Sequence, residues 1–205
     1  MREKLSENTE EKILEAAKEI FVREGKSGAR MQEIADKAGI NKSLLHYYYR
    51  SKEKLFYTVF KFVFSKFAHK IINLFDADKD IFEVIEQFID NYIDLIRKNP
   101  FIPMFIINEI NRKETSFVTE VIRETGINID TYFEFIQRNI DLGKIKAVDP
   151  KQLIINILSL CIFPIISRPI VQIILYDDNK NAYDKFLDQR KKEVTEIIFT
   201  MIKPN

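Results

Sequence analysis

The chain has 205 residues, 46% hydrophobic and 31% charged, with a formal net charge of +1. That balance is the composition of a folded chain and not of a disordered one. Cys161 is the single cysteine, which excludes an intrachain disulfide and a cysteine-based metal site. Only 5 Gly and 6 Pro interrupt long periodic stretches, so helices are expected in place of many short strands. No strand-like alternation and no internal repeat are present, and the fold class predicted is all-α.

Met1 to Glu11 is polar and charged, without the apolar run of a secretory signal. Asn8 and Glu11 are spaced to form a capping box. They open a first helix with Ile13, Ala16, Ala17, Ile20 and Phe21 on one face. Gly25 is placed to end it. A short second helix is expected from about Met31 to Lys37, with Ile34, Ala35 and Ala38 packed inward. Gly39 then supplies a left-handed turn residue. Asn41 caps a third short helix over Lys42 to Tyr48. Ser51 caps a long fourth, in which Leu55, Val59, Phe60, Val63, Phe67, Ile71 and Leu74 keep the helical period to about Phe75.

Asp80 to Lys98 carries Ile81, Val84, Ile85, Phe88, Tyr92 and Leu95 on one stripe, and Asn99-Pro100 breaks it. A short segment to about Asn111 follows, then a helix from about Glu114 to Asp141. Gly126 weakens the middle of that helix and marks a candidate break, and Gly143 terminates it. Asp149-Pro150 starts the next helix, an N-cap with Pro at N1. It is expected to run to about Phe163, where Pro164 interferes. The last helix spans about Asn181 to Ile202, with Tyr183, Leu187, Val194, Ile197, Ile198 and Met201 on one side. The longest apolar region, Leu153 to Leu175, is interrupted by Pro164, Arg168 and Pro169. Its charge-free part ends at Ser167, short of the ~20 residues of a membrane helix. A buried helix, a chain without a membrane partner and a cytoplasmic location are expected.

Two short helices joined by a tight glycine-containing turn have helix-turn-helix geometry. The second enters the major groove and presents its first residues to bases, here Asn41, Lys42, Ser43 and Leu44. Lys and Ser can donate to base edges or phosphates, and Leu44 can touch a thymine methyl. His46-Tyr47-Tyr48-Tyr49 follows. Three consecutive tyrosines spread over about 200° of helix arc and cannot all face one core. Tyr47 and Lys52 are read as phosphate contacts, Lys52 standing in the first turn of the next helix where an anion is favoured. Tyr49 is read as a packing residue. From Gly25 to Lys54 seven basic residues stand against three acidic ones, a local net of +4. Attraction of phosphate and ordinary solvated charge both account for that count.

The stretch ILEAAKEIFVREG…MQEIADKAGINKSLLHYYYRSKEKLF resembles the DNA-binding head of TetR-type (tetracycline-repressor-like) regulators. The matching positions are Ala16-Ala17, Phe21, Gly25, Ile34-Ala35, Ala38-Gly39-Ile40, Leu45, Tyr47, Lys52 and Leu55, about a quarter of the chain. The resemblance implies a three-helix head over residues 1–54 and a helical ligand-binding and dimerising body over 55–205. It also implies a homodimer on palindromic double-stranded operator DNA, most often a repressor, released by a small-molecule effector. Lys42, Ser43, His46, Tyr47, Tyr48 and Lys52 match the family's DNA-contacting positions. The family usually has Thr or Ser where Ala29 and Arg30 stand. Arg30 has no acceptor oxygen, so the cap of the second helix is lost or left to backbone, and Arg30 itself can reach a phosphate. The family often has Gly in place of Ser43 and an aromatic in place of His46, so the resemblance does not imply a base preference.

In the body, Phe88, Tyr92, Phe101, Met104, Phe105, Phe117, Phe133 and Phe135 are candidates to line an apolar pocket. Asn108, Gln137, Asn156 and Cys161 are its candidate polar handles, and the expected ligand is mostly apolar or aromatic. An apolar stripe at helical spacing is usually plain core. Leu153, Ile157, Leu160, Val194, Ile197, Ile198 and Met201 are the candidate dimer surface, some of which can face the protomer's own core. The two histidines, His46 and His69, have no catalytic or metal set at helical spacing, and no glycine-rich phosphate loop is present. Glu109 and Glu114 read as solvated surface. No catalytic residue, metal or cofactor is expected. Against the regulator stand an enzyme and a helical interaction module that has lost DNA binding, the latter opposed by the basic Gly25–Lys54 stretch.

Overall fold

The computed structural model describes the backbone of residues 2–73, 79–112, 115–126 and 128–204, and their side chains apart from 2–8 and 115–118. Among the described residues there are helices and no strands: α1 (Arg2–Gly28), α2 (Met31–Ala38), α3 (Lys42–Tyr48), α4 (Lys52–Ile72), α5 (Ile81–Lys98), α6 (Phe101–Arg112), α7 (Thr115–Glu124), α8 (Asp130–Asp141), α9 (Pro150–Ile166), α10 (Arg168–Tyr176) and α11 (Lys180–Ile202). They fall into two compact units. The first comprises Met1–Phe67 and Met104–Thr125, the second Ala68–Pro103 and Gly126–Asn205.

The first unit closes around Ile13, Ala17, Phe21, Ile34, Ala35, Leu45, Leu55 and Val59, each fully or almost fully buried. Phe56 packs edge-on to Phe21 with ring centroids 4.9 Å apart, and to Phe105 of α6 at 5.8 Å. Helix α1 begins at Arg2 and not at Asn8. The residues before Asn8 include Arg, Glu, Lys and Leu, good helix formers with no Gly or Pro to stop propagation. Gly25 breaks the helix as anticipated, at φ 68° and ψ 178°. That conformation is essentially restricted to glycine, although a Cβ there would meet no atom within 4 Å. Gly39 ends α2 in the left-handed region, at φ 69° and ψ 31°. Its N–H donates to the Asp36 carbonyl at 3.1 Å and that of Ile40 to the Ala35 carbonyl at 3.0 Å, the paired bonds of a Schellman motif. Glu109, expected at the surface, is buried within this unit, with Arg112 at 3.8 Å. The turn of α6 that holds Phe105 and Ile106 inside carries it inward as well. Glu114 and Leu74 lie outside the described residues.

In the second unit α5, α9 and α11 supply the central core: Ile81, Ile89, Ile93, Ile96, Leu153, Cys161, Val194 and Ile198. The stripe of α5 is shifted from the one expected, for Ile89, Ile93 and Ile96 are buried while Phe88 and Leu95 are half-exposed. The helix expected over Glu114–Asp141 is two, α7 and α8, broken around Gly126. Pro164 does not stop α9, which continues to Ile166. Proline withdraws the N–H that would bond the Leu160 carbonyl. Arg190 of α11 takes its place, donating Nε and Nη2 to that carbonyl at 3.3 and 3.2 Å. The Tyr183 hydroxyl donates to the Pro164 carbonyl at 3.0 Å. The chain then bends by 74° into α10, a helix absent from the sequence reading. Arg97 reaches Asp184 and Asp188, and Lys191 reaches Asp90 and Asp94, tying α5 to α11 outside the apolar seam. Among the described residues no single helix is long and apolar enough to cross a membrane; α9 and α10 pass such a test only when joined across their bend.

Candidate functional site

Helix α3 is fixed at both ends and along one face. The Asn41 side-chain oxygen accepts the Leu44 N–H at 2.8 Å, capping its start. Leu45 is completely buried and anchors the middle. At the far end the Tyr49 ring is buried, and its hydroxyl donates to Glu10 Oε1 of α1 at 3.0 Å. Burial, reinforced by that carboxylate, pushes the Tyr49 phenol upward, so it stays a neutral donor. The opposite face is open. Lys42, Ser43, His46 and Tyr47 are exposed, Tyr47 by 80%, and Leu44 and Tyr48 are half-buried. Lys42 with His46, and Ser43 with Tyr47, stand four residues apart and share that face. The Tyr47 and Tyr48 rings meet edge-on at 5.7 Å.

The cations around this face divide into two sets. Lys37 pairs with Glu19 at 2.7 Å and Lys26 with Glu53 at 3.6 Å. Among the described residues Arg30, Lys42, Arg50 and Lys54 have no ion-pair partner. Lys52 donates to the Ser27 carbonyl at 3.3 Å, which holds its ammonium beside the end of α1. Arg30 is exposed at the N-cap of α2 and offers no side-chain cap, as its lack of an acceptor requires; its carbonyl accepts the Ile34 N–H at 3.1 Å. Ser51 Oγ accepts the Lys54 N–H at 3.2 Å at the start of α4. The face is thus rigid beneath and cationic above, with hydroxyl, imidazole and ammonium donors in reach of a groove or a phosphate.

The second unit holds an apolar cavity of about 230 Å³ that is partly open to solvent. Ala68, Ile71 and Ile72 close it from the end of α4, and Ile81, Val84, Ile85 and Phe88 from α5. Ile129, Tyr132, Phe135 and Ile136 face it from α8 and the residue before, and Leu153, Ile154, Ile157 and Leu158 from α9.

Of the residues expected in a pocket, Phe88 and Phe135 line this cavity. The others stand elsewhere. Phe101, Met104 and Asn108 are exposed on α6, because Pro103, Phe105, Ile106 and Glu109 take its inner face. Phe105 packs against Phe56 and Phe60 in the first unit. Tyr92 and Cys161 are core residues, and burial pushes the Cys161 thiol up to about 12 against a smaller opposing pull from Arg190. Phe133 lies under the Lys151 ammonium at 5.9 Å, Gln137 donates to Asp141 at 2.9 Å on an exposed face, and Asn156 donates to Met201 Sδ at 3.6 Å. The side chain of Phe117 lies outside the described residues. The lining missed in the sequence is mostly Ile, Leu and Val, whose helical spacing is the same for a core and for a cavity wall.

The expected dimer surface is corrected in the same way. Leu153, Ile157, Val194 and Ile198 are buried within the protomer, the first two facing the cavity. Leu160 and Met201 are half-buried and Ile197 is 46% exposed. The apolar side chains left open are Ile155 and Phe163 of α9 and Ile170, Ile173, Ile174 and Leu175 of α10.

Comparison with known proteins agrees with this geometry. Residues 13–59 match the bacterial regulatory proteins of the tetR family, and residues 65–205 match the C-terminal region of YcdC-like proteins. The chain is 31% identical over 97 residues to the HTH-type transcriptional repressor NicS of Pseudomonas putida, covering 45% of this chain and 46% of that protein. It is 27% identical over 145 residues to the HTH-type transcriptional regulator RutR of Escherichia coli, covering 71% and 68%. The chain thus spans about half the length of the first relative and about two thirds of the second. The fold is shared with a TetR family transcription regulator of Marinobacter aquaeolei, at TM-score 0.68 and 17% identity over 100% of both chains. It is shared as well with a TetR-family transcriptional regulator of Haemophilus influenzae, at TM-score 0.63 and 19% identity over 96% and 99%. With a helix-turn-helix face built on α2 and α3 and a match that continues through residue 205, the chain belongs to the TetR family and is a DNA-binding transcriptional regulator.

Proposed function

We propose that the protein is a repressor that binds a (pseudo)palindromic operator as a homodimer and leaves it when a small, mostly apolar ligand occupies its body. Residues 1–54 act as the DNA-binding domain and 55–205 as the ligand-binding and dimerising body. The observation that carries the reading is α3: a capped helix anchored by buried Leu45 that turns Lys42, Ser43, His46 and Tyr47 outward. In this reading Lys42 and Ser43 meet base edges, with Leu44 against a thymine methyl. Tyr47, Tyr48, His46, Arg30 and Lys52 hold the backbone, and Lys52 exchanges its bond to Ser27 for a phosphate oxygen. The Asn41 oxygen is committed to its cap, which leaves only its amide N–H for DNA.

Dimerisation is supported by the open apolar side chains of α9 and α10, to which Ile197 of α11 adds. A self-complementary two-fold patch is the commonest way to cover such a surface. Repression is supported by the name of the Pseudomonas putida relative. The protein works without catalysis or cofactor, in the cytoplasm, where its DNA is.

Footprinting of genomic DNA bound by the purified protein tests the reading. Protection of a two-fold site is expected, with affinity falling steeply as salt rises because phosphate contacts release counterions. No protected upstream DNA, or salt-independent binding, would overturn it. Light scattering at micromolar concentration is expected to give a dimer, which Phe163→Glu with Ile174→Glu splits; a monomeric parent protein sinks the dimer reading.

A further inference from the structure

We infer that the ligand held by the body is an uncharged, hydrocarbon-like molecule of roughly nine carbons, in a cavity lined by α5, α8, α9 and the last turn of α4. The inference rests on the reading of the body as effector-binding and specifies the chemistry of that effector.

The first support is the wall. Of the fifteen described side chains around the cavity, fourteen are aliphatic or phenylalanine and the other is Tyr132. Among these described residues there is no lysine, arginine, histidine, aspartate or glutamate. Burial pushes the Tyr132 phenol upward, so it presents no anion at neutral pH. Charged and polar groups near the cavity point to partners outside it: Lys151 over Phe133, Gln137 on Asp141, and Lys144 of the connection after α8 at 3.8 Å from Asp80. A carboxylate or ammonium entering this space would give up its water and gain no partner.

The second support is size. An apolar cavity of roughly 150 Å³ stays dry and takes one benzene. At about 230 Å³ this one is half as large again, room for a substituted ring or a short branched chain. Phe88, Tyr132 and Phe135 provide flat surfaces among the branched aliphatic ones, which suits a compact, partly planar hydrocarbon.

The test uses three probes of one shape: cumene, 4-isopropylbenzoate and 4-isopropylbenzylammonium. Binding to the full chain is followed by thermal midpoint and by ligand NMR, without DNA. Cumene is expected to raise the midpoint saturably, and each charged analogue to bind at least ~100-fold more weakly. Ala68→Phe and Ile154→Phe each fill the space from a half-buried position and are expected to abolish the cumene shift while the protein remains folded by circular dichroism. Ile129→Lys, at a side chain 48% exposed, is expected to improve 4-isopropylbenzoate binding at least ~10-fold by adding the missing cation.

Absence of cumene binding overturns the inference, as does equal binding of the charged analogues or a shift that survives both filling substitutions. Operator release is measured separately. Cumene that binds without releasing DNA upholds the ligand chemistry and sinks the effector reading. Release by a charged molecule with no cumene binding does the reverse.

Discussion

The two units treat their apolar residues differently. In the first, Ile13, Phe21, Ile34, Leu45, Leu55 and Val59 are sealed inside, and the face of α3 turned to solvent is polar. Tyr47 is the exception, an aromatic ring exposed by 80% and carrying a hydroxyl. In the second, apolar side chains outnumber the places the core has for them. Some surround a cavity and others, from Ile155 to Leu175, lie open. A surface that must meet phosphate and base edges needs donors on a rigid support. A surface that must meet an apolar ligand or a second copy needs unsatisfied apolar area. The contrast teaches that function shows in the first unit as which residues are exposed, and in the second as how many apolar residues remain unpacked.

The contrast can be broken most directly at Leu45. Leu45→Ala removes a fully buried anchor and is expected to lower stability by about 2–5 kcal/mol by denaturant titration, with operator binding lost in step. Retained binding would show that α3 needs no core beneath it. In the second unit, Arg190→Ala strips the Leu160 carbonyl of its donors and is expected to cost about 2 kcal/mol. In a Pro164→Ala background the restored N–H serves that carbonyl, and the same substitution should cost under ~1 kcal/mol. An equal cost in both backgrounds rejects the substitution of guanidinium for the missing helix bond.

Smaller effects sharpen the reading of the exposed face. Lys42→Ala is expected to relax base preference by about 1–3 kcal/mol at one operator position, whereas Tyr47→Phe weakens binding to all sequences alike. A Lys42→Ala protein with unchanged affinity and preference would falsify the orientation given to α3. Asn41→Ala should cost about 1 kcal/mol through loss of the cap, and Asn41→Asp much less.

The smallest effect concerns Cys161. Its folded thiol stays protonated to about 12, while the unfolded thiol ionises near its ordinary value. The unfolded state therefore releases its proton first, and stability falls as pH rises from about 8.5. Between pH 8.5 and 9.5 the loss is expected to be under about 1 kcal/mol. Cys161→Ala should remove that increment from the pH dependence of unfolding; an identical slope in both proteins assigns it to other groups.

Local chemistry was legible in the chain wherever it acts within a few residues. Asn41, Ser51 and Asp149 cap the helices they precede because a side-chain oxygen needs only a neighbouring N–H. Gly25 and Gly39 break and turn the chain because few other residues tolerate a positive φ. The missing cap at Arg30 followed from its having no acceptor. The α3 face was legible for the same reason, since a helix so short exposes whatever its one buried residue leaves over. What the sequence could not decide was which side of a wholly apolar helix meets what. Leu153 and Ile157 of α9 face a cavity, Ile155 and Phe163 face solvent, and all four are large apolar side chains at helical spacing. The hydrophobic effect has no direction, so only the packing of α5, α8 and α11 around α9 assigns these residues to core, cavity or surface. The helix-turn-helix that announces DNA binding is therefore a property of the sequence itself, and the pocket and the open apolar face are products of the tertiary fold.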